Sequence, residues 1–265
     1  MNPTIIDFHT HCFPDALAAK ALPKLAAHSG ATYYVDGTTR GLRESMRKNG
    51  IDAGVLLQIA TKPAQTPTVN AWAIEQNSPD IIAFGSVHPE YPQWKDELDR
   101  LADNGIKGIK VHPEYQEFDV DAPRMIPIYE HAFSRGLAIV FHAGIDIGFP
   151  DTLHAPPQRF LAAYDTFKHG NVVLAHMGGW KLWDDVLSQL AGTSFYFDTS
   201  FGVGYIQPEQ MKSIILKHGA EKILFGSDTP WEDQAASLEL VRSLNLGTDA
   251  ESLILGGNAQ RLLRI

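Results

Sequence analysis

The chain has 265 residues, 44% of them hydrophobic, and a formal charge of -9. That is enough for one large domain with a sizeable core, and the acidic balance argues against broad nucleic-acid or membrane-surface binding. A single cysteine, Cys12, rules out an intramolecular disulfide. With no basic leader in residues 1–4 and no apolar run of about 18 residues, a cytoplasmic protein is expected.

The first apolar run, residues 5–9, leads into His9-Thr10-His11. A strand repeats every two residues, so Asp7, His9 and His11 are expected on one face, with Cys12 turned away as a small buried residue. A helix is expected over residues 16–27. Further strands are expected at 53–59, 81–87, 106–111, 137–142, 172–176, 194–198 and 222–226. Helical patterns lie between them. Trp94, Leu98 and Leu101 recur at helical spacing ahead of Asn104-Gly105, and residues 125–134 end at Gly136. Gln207-Pro208-Glu209 opens another helix, and Gly170 and Gly219 close two more. Eight alternating units predict an α/β protein, a single-domain (β/α)8 TIM barrel over residues 1–265. The alternative, an open doubly wound sheet, lacks a Gly-x-Gly-x-x-Gly after the first strand.

In such a barrel, functional side chains gather at the C-terminal ends of the strands. His142, His176 and Asp228 each close an apolar run. Two imidazoles one residue apart on a strand can grip one ion, and nitrogen ligands with one carboxylate suit zinc, or manganese as second choice. His9, His11, His142 and Asp228 are therefore the expected metal ligands, with His176 beside the metal and Asp7 supporting from behind. His28, His131, His154, His169 and His218 fall in helices or loops and are expected at the surface.

The motif Ile6-Asp7-Phe8-His9-Thr10-His11, the strand-end His142 and His176, and two later motifs belong together. The later ones are Gly226-Ser227-Asp228-Thr229-Pro230-Trp231 and Gly257-Asn258-Ala259-Gln260-Arg261-Leu262-Leu263. Jointly they resemble the amidohydrolase superfamily, in particular the amidohydrolase-related branch that includes aminocarboxymuconate-semialdehyde decarboxylase. The resemblance covers essentially the whole chain. It implies a barrel with its metal at the strand ends, in a branch of hydrolases, decarboxylases and hydratases whose members often form homodimers.

Lys110 and His112 share a face of the fourth strand, expected to be inward. Lys110 has three readings. It is carboxylated and bridges two metals, as in some amidohydrolases; or it is an ammonium that binds a substrate carboxylate; or it is buried in an ion pair with Asp7 or Asp198. His112 and Trp231 are further substrate-binding candidates. Glu90, Glu114, Trp180 and Trp183 fall near the expected mouth, with Arg159 and Lys181 as additional anion binders. The first functional reading is a metal-dependent hydrolase of a small amide, lactone or ester, on a mononuclear or binuclear site. Asp228 would move the water's proton and His176 would polarise the carbonyl. The alternative is a metal-dependent non-oxidative decarboxylase of a small, aromatic or other carboxylic acid, which a cationic Lys110 favours. A non-catalytic binding protein would have no need of the full ligand set. The expected partner is a small, anionic molecule, with neither nucleic acid nor membrane.

Overall fold

The computed structural model describes residues 4–265; the first three residues, on which the reading of the leader rests, lie outside it. The strands are β1 (Ile6–Thr10), β2 (Ala53–Leu57), β3 (Ile81–Phe84), β4 (Gly108–Val111), β5 (Ala138–Phe141), β6 (Val172–Leu174), β7 (Tyr196–Asp198) and β8 (Ile223–Leu224). They pair in parallel, in chain order, as β1 to β3 and β4 to β8. Two parallel bridges, Gly85↔Ile109 and Thr10↔Thr229, join the two sheets into a closed ring. Backbone bonds reinforce both seams, from Lys110 N–H to Gly85 O at 2.8 Å and from Phe8 N–H to Phe225 O at 2.7 Å. The barrel expected from the strand–helix rhythm is the barrel observed.

Alternation along each strand divides the core into two layers. Ile6, Phe8, Val55, Leu57, Ile82, Phe84, Val140, Val173 and Leu224 fill the interior. Leu56, Ala83, Ile109, Val111, Ile139, Phe141, Leu174 and Phe197 pack outward against helices such as Trp94–Asp103 and Ile126–Ser134. Lys110 lies between Ile109 and Val111 and so faces the interior, as its spacing predicts. The terminal helix Asn258–Leu263 adds Ala259, Leu262 and Leu263 to the interior cluster. Asn258 donates to Ala220 O and Ile223 O, both at 2.7 Å, which ties this helix to β8.

The expected helices are present. The first spans Asp15–Ser29 and ends at Gly30, φ 70°; Pro208–His218 is closed by Gly219, φ 101°. Two expectations need correction. The register of β1 against β2 slips between Asp7 and Thr10. Strict period-two alternation therefore fails there, as a bulge requires. Asp7 turns to Ser227 and Gln234 while His9 approaches Lys110. His218, expected at the surface, is buried. Its ring stacks on Phe197 at 3.9 Å between centroids and its Nε2 lies 2.8 Å from Phe195 O.

Candidate metal centre and active site

The strands end early because the chain leaves the ladder to present polar groups. His176 and Asp228, just beyond β6 and β8, have φ of 58° and 70°. Side chains seldom adopt such a backbone, and it persists only where surrounding bonds enforce it. His176 N–H donates to Asp198 Oδ1 at 3.0 Å, and Asp228 N–H to His9 O at 2.8 Å. Asp7 accepts from Ser227 N–H at 2.9 Å, Ser227 Oγ–H at 2.6 Å and Gln234 Nε2–H at 2.8 Å. It supports the turn that carries Asp228 rather than a ligand's ring.

Three side-chain atoms converge here. His9 Nε2 is 3.2 Å from His11 Nε2, and Asp228 Oδ1 is 3.3 Å and 3.1 Å from the two nitrogens. The opposite ring nitrogens are already engaged. His9 Nδ1 is 2.8 Å from Asp198 Oδ2, and His11 Nδ1 is 2.8 Å from Leu57 O. Both partners only accept, so each Nδ1 carries the proton and each Nε2 presents a lone pair. Three electron-pair donors thus face one point with no proton to share. That donor set fits a divalent metal. Burial pushes the His9 imidazole well below its usual pKa, with the Lys110 charge adding to the effect.

Lys110 Nζ stands 3.5 Å from His9 Nε2, fully buried. Among the described residues no carboxylate oxygen comes within 4.0 Å of it, so the ion pair with Asp7 or Asp198 is not formed. Burial lowers its pKa to about 8, with Asp198, Asp228, Asp146 and Glu114 opposing the fall.

His142 does not join His9, His11 and Asp228 as a single cluster; it groups instead with His112 and Asp146. His176 lies between, its Nε2 3.1 Å from His142 Nδ1 and its Nδ1 2.9 Å from Ser200 Oγ. Ser200 Oγ donates in turn to Asp198 Oδ1. Asp198 therefore braces His9, His176 and Ser200 at once. Ser200, two residues beyond it, was not singled out from sequence, although both stand where β7 ends, as the other site residues do for their strands.

The remaining candidates divide. Trp180 is buried against Phe201 and Tyr205, at 5.8 Å and 5.2 Å between centroids, and Phe201 meets His176 at 6.4 Å. Trp183 Nε1–H donates to His176 O at 3.1 Å. Trp231 is half-buried in the Asp228 turn, its backbone N–H donating to Asp228 O. Arg159 is paired with Asp119 and Asp121, Lys181 lies over the Trp180 ring, and Glu90 is exposed beside Arg124. Arg159 is thus already neutralised, whereas Lys181 has no carboxylate partner among the described residues.

The model for the family described as amidohydrolase matches residues 6–265. The chain belongs to the amidohydrolase family. No curated protein sequence matches this amidohydrolase significantly. Solved structures do. A 5-carboxyvanillate decarboxylase from Sphingomonas paucimobilis has a TM-score of 0.73 at 18% identity, with all of both chains covered. A dihydroxybenzoic acid decarboxylase from Polaromonas, with bound manganese and the inhibitor 2-nitroresorcinol, has a TM-score of 0.69 at 17% identity, over 99% of this chain and 97% of the other. A protein provisionally assigned as a 2-pyrone-4,6-dicarboxylic acid hydrolase from Pseudomonas putida has a TM-score of 0.68 at 16% identity, over 100% of this chain and 98% of the other. At these identities the likeness shows the fold. No helix among the described residues is long and apolar enough to cross a membrane.

Proposed function

We propose that this amidohydrolase is a metal-dependent, non-oxidative decarboxylase of a small aromatic carboxylic acid. The observation that carries the proposal is the buried, unpaired Lys110 ammonium beside the converging lone pairs of His9, His11 and Asp228. A buried cation with no carboxylate in contact is costly, and a substrate carboxylate supplies the missing charge. The solved neighbours that act on aromatic carboxylates support the same choice. Hydrolysis, the first reading from sequence, keeps one neighbour in its favour and becomes the alternative.

His9, His11 and Asp228 would hold the divalent metal, manganese or zinc, and when bound it stabilises negative charge that develops on the substrate. Lys110 binds the carboxylate and orients it. Trp180, Phe201 and Tyr205 form an apolar wall suited to a flat ring. Asp228 places Oδ1 against the imidazoles and leaves Oδ2 without a hydrogen bond among the described residues. Oδ2 is thereby free to take a proton and pass it on while Oδ1 faces the metal site. The bond between ring carbon and carboxylate breaks, carbon dioxide leaves, and the electron pair on the ring carbon takes a proton delivered through Asp228 Oδ2, which solvent resupplies. His112, 3.3 Å from Asp146, and Trp231 would border the substrate.

The test is product analysis of metal-loaded protein against hydroxybenzoates and, separately, small amides, lactones and esters. Carbon dioxide release with the ring product one carboxylate shorter is the expected result. Net addition of water without carbon dioxide, on the second panel only, overturns the proposal in favour of hydrolysis.

A further inference from the structure

The apolar wall of the site is carried by the loop that follows β7, Phe201-Gly202-Val203-Gly204-Tyr205. Phe201 and Tyr205 stack at 5.0 Å between centroids and 25° between planes, and both lie against Trp180. The loop is closed from within, Tyr205 N–H and Ile206 N–H both donating to Gly202 O at 3.1 Å. A Cβ at Gly202 would lie 3.1 Å from Met211 Cε and 3.2 Å from Thr199 O, so the chain passes there with little room to spare. Phe201 has φ of 52°. A bulky side chain stays on such a backbone only where neighbouring bonds hold it.

Glu232 supplies the hold. Its Oε2 accepts from Val203 N–H at 2.8 Å, at the tip of the loop. Its Oε1 accepts from Ser237 Oγ–H at 2.6 Å, in the helix Gln234–Ser243. Its main-chain carbonyl accepts from Thr229 Oγ1–H at 2.9 Å, in the turn that carries Asp228. One buried residue thus ties three separate segments together. A longer bond, Phe201 N–H to Ser227 O at 3.3 Å, runs alongside. A hydroxyl or a water molecule would satisfy the Val203 amide. A carboxylate is costlier to bury, but its bond to an amide is the stronger one. Among the described residues Glu232 makes no hydrogen bond to His9, His11, Lys110 or Asp228, so the metal cluster does not account for it.

We propose that Glu232 is a positioning residue that sets the register of the Phe201 and Tyr205 wall against the Asp228 carboxyl, and so fixes where an aromatic ring lies relative to the proton carrier. This role rests on the reading of the site as one for an aromatic acid. Rings already held in place offer their faces without the ordering cost that a loose loop would add. Without Glu232 the loop keeps its internal bonds but not its place. Ring binding then weakens, while the chemistry at Asp228 proceeds once a substrate is seated. Glutamine preserves the tie. Its amide oxygen accepts from Val203 N–H, and its Nε2–H donates to Ser237 Oγ, whose own proton turns to Asp233 O at 3.0 Å. Alanine removes it.

The experiment compares metal-loaded wild type, Glu232→Gln and Glu232→Ala. It reads hydrogen exchange over residues 201–205, titration with 2-nitroresorcinol (a ring compound with no carboxylate to lose), and kcat and KM on a hydroxybenzoate. In Glu232→Ala the loop amides should exchange faster, the probe's Kd and the KM should rise about tenfold, and kcat should stay within about threefold. Glu232→Gln should match wild type in each readout, and metal affinity should be the same in all three proteins. Circular dichroism checks folding. Where Glu232→Ala fails to fold, Val203→Pro removes the donor instead, and the same pattern is expected. Wild-type probe affinity in Glu232→Ala overturns the role, as does a loss in Glu232→Gln as large as in Glu232→Ala. A loss confined to kcat, weakened metal binding, or no probe binding by wild type also overturns it. No carbon dioxide from any hydroxybenzoate, with loop exchange and probe binding as expected, upholds the role of Glu232 and sinks the decarboxylase reading.

Discussion

The mouth of the barrel has two unlike halves. On the β1–β8 side, three ligand atoms lie within 3.1 Å to 3.3 Å of one another, and each imidazole is held by a second bond to its far nitrogen. On the β4–β5 side, the corresponding contacts are 3.3 Å and 3.9 Å, and the carboxylate comes from a loop rather than a strand end. The first half is arranged in advance; the second depends on what its loop holds in place. Pre-arrangement is worth most where charge develops during a reaction, which is the reason for the proposal that the chemistry belongs to the first half.

That contrast breaks most visibly at Asp228. Asp228→Asn keeps the shape and removes both ligand charge and proton carrier. Turnover should fall by about 10²–10⁴-fold with an unchanged far-ultraviolet spectrum. Activity within a few fold of wild type would place the chemistry elsewhere, with the second half the first candidate.

A smaller effect is expected at Asp198, which touches no ligand atom of the first cluster yet holds the His9 ring and the His176 backbone. Asp198→Asn should weaken metal binding by about 10–100-fold, the usual cost of losing a carboxylate behind a metal-bound histidine. Competition against a chromogenic chelator measures it. Unchanged affinity would mean that His9 is oriented by packing alone.

Gly144 sharpens the comparison from the other side. Its φ is 87°, and an added Cβ would lie 2.2 Å from Trp180 N, inside the bridge between the β5 and β6 loops. Gly144→Ala should lower stability by about 2 kcal/mol or more, read as a fall in the urea midpoint. It should also displace the Asp146 loop while sparing metal affinity at His9 and His11. A fall in that affinity would show that the two halves move together.

The sequence disclosed the barrel and the first cluster because both rest on short-range periodicity and on residues at strand ends. His9, His11 and Asp228 meet as their positions imply. It did not disclose the Asp7 orientation, since the β1 bulge carries no marker in Ile6-Asp7-Phe8-His9. Nor did it disclose which side chains neighbour His142 in the folded chain, for a related reason. Position along a strand says which end a side chain occupies, whereas its partner depends on which ring nitrogen faces which loop. Asp146 lies in such a loop, four residues after His142, and only tertiary packing turns it toward His112.

The smallest expected effect concerns two buried carboxyl groups, one behind each half. Glu232 accepts from Ser237 Oγ–H at 2.6 Å and Val203 N–H at 2.8 Å, and burial raises its pKa to about 7 from 4.5. Glu114 rises equally, to about 7, but has one oxygen unpartnered. A raised carboxyl binds its proton more tightly in the folded state. Its stabilising contribution is full below pH 4.5 and is lost as pH climbs through about 7. Glutamine mimics the protonated acid, and Ser237 can accept from it because its own proton reaches Asp233 O at 3.0 Å. Glu232→Gln should therefore flatten stability against pH over that interval and exceed wild type above it, by about 1–3 kcal/mol in urea unfolding. In Glu114→Gln the same change places an amide beside His112. Its curve should flatten over the same interval, because Glu114 carries the same raised pKa. A Glu232→Gln curve that keeps the wild-type slope between pH 4.5 and about 7 would show that this carboxyl ionises in the folded protein as it does in the unfolded chain.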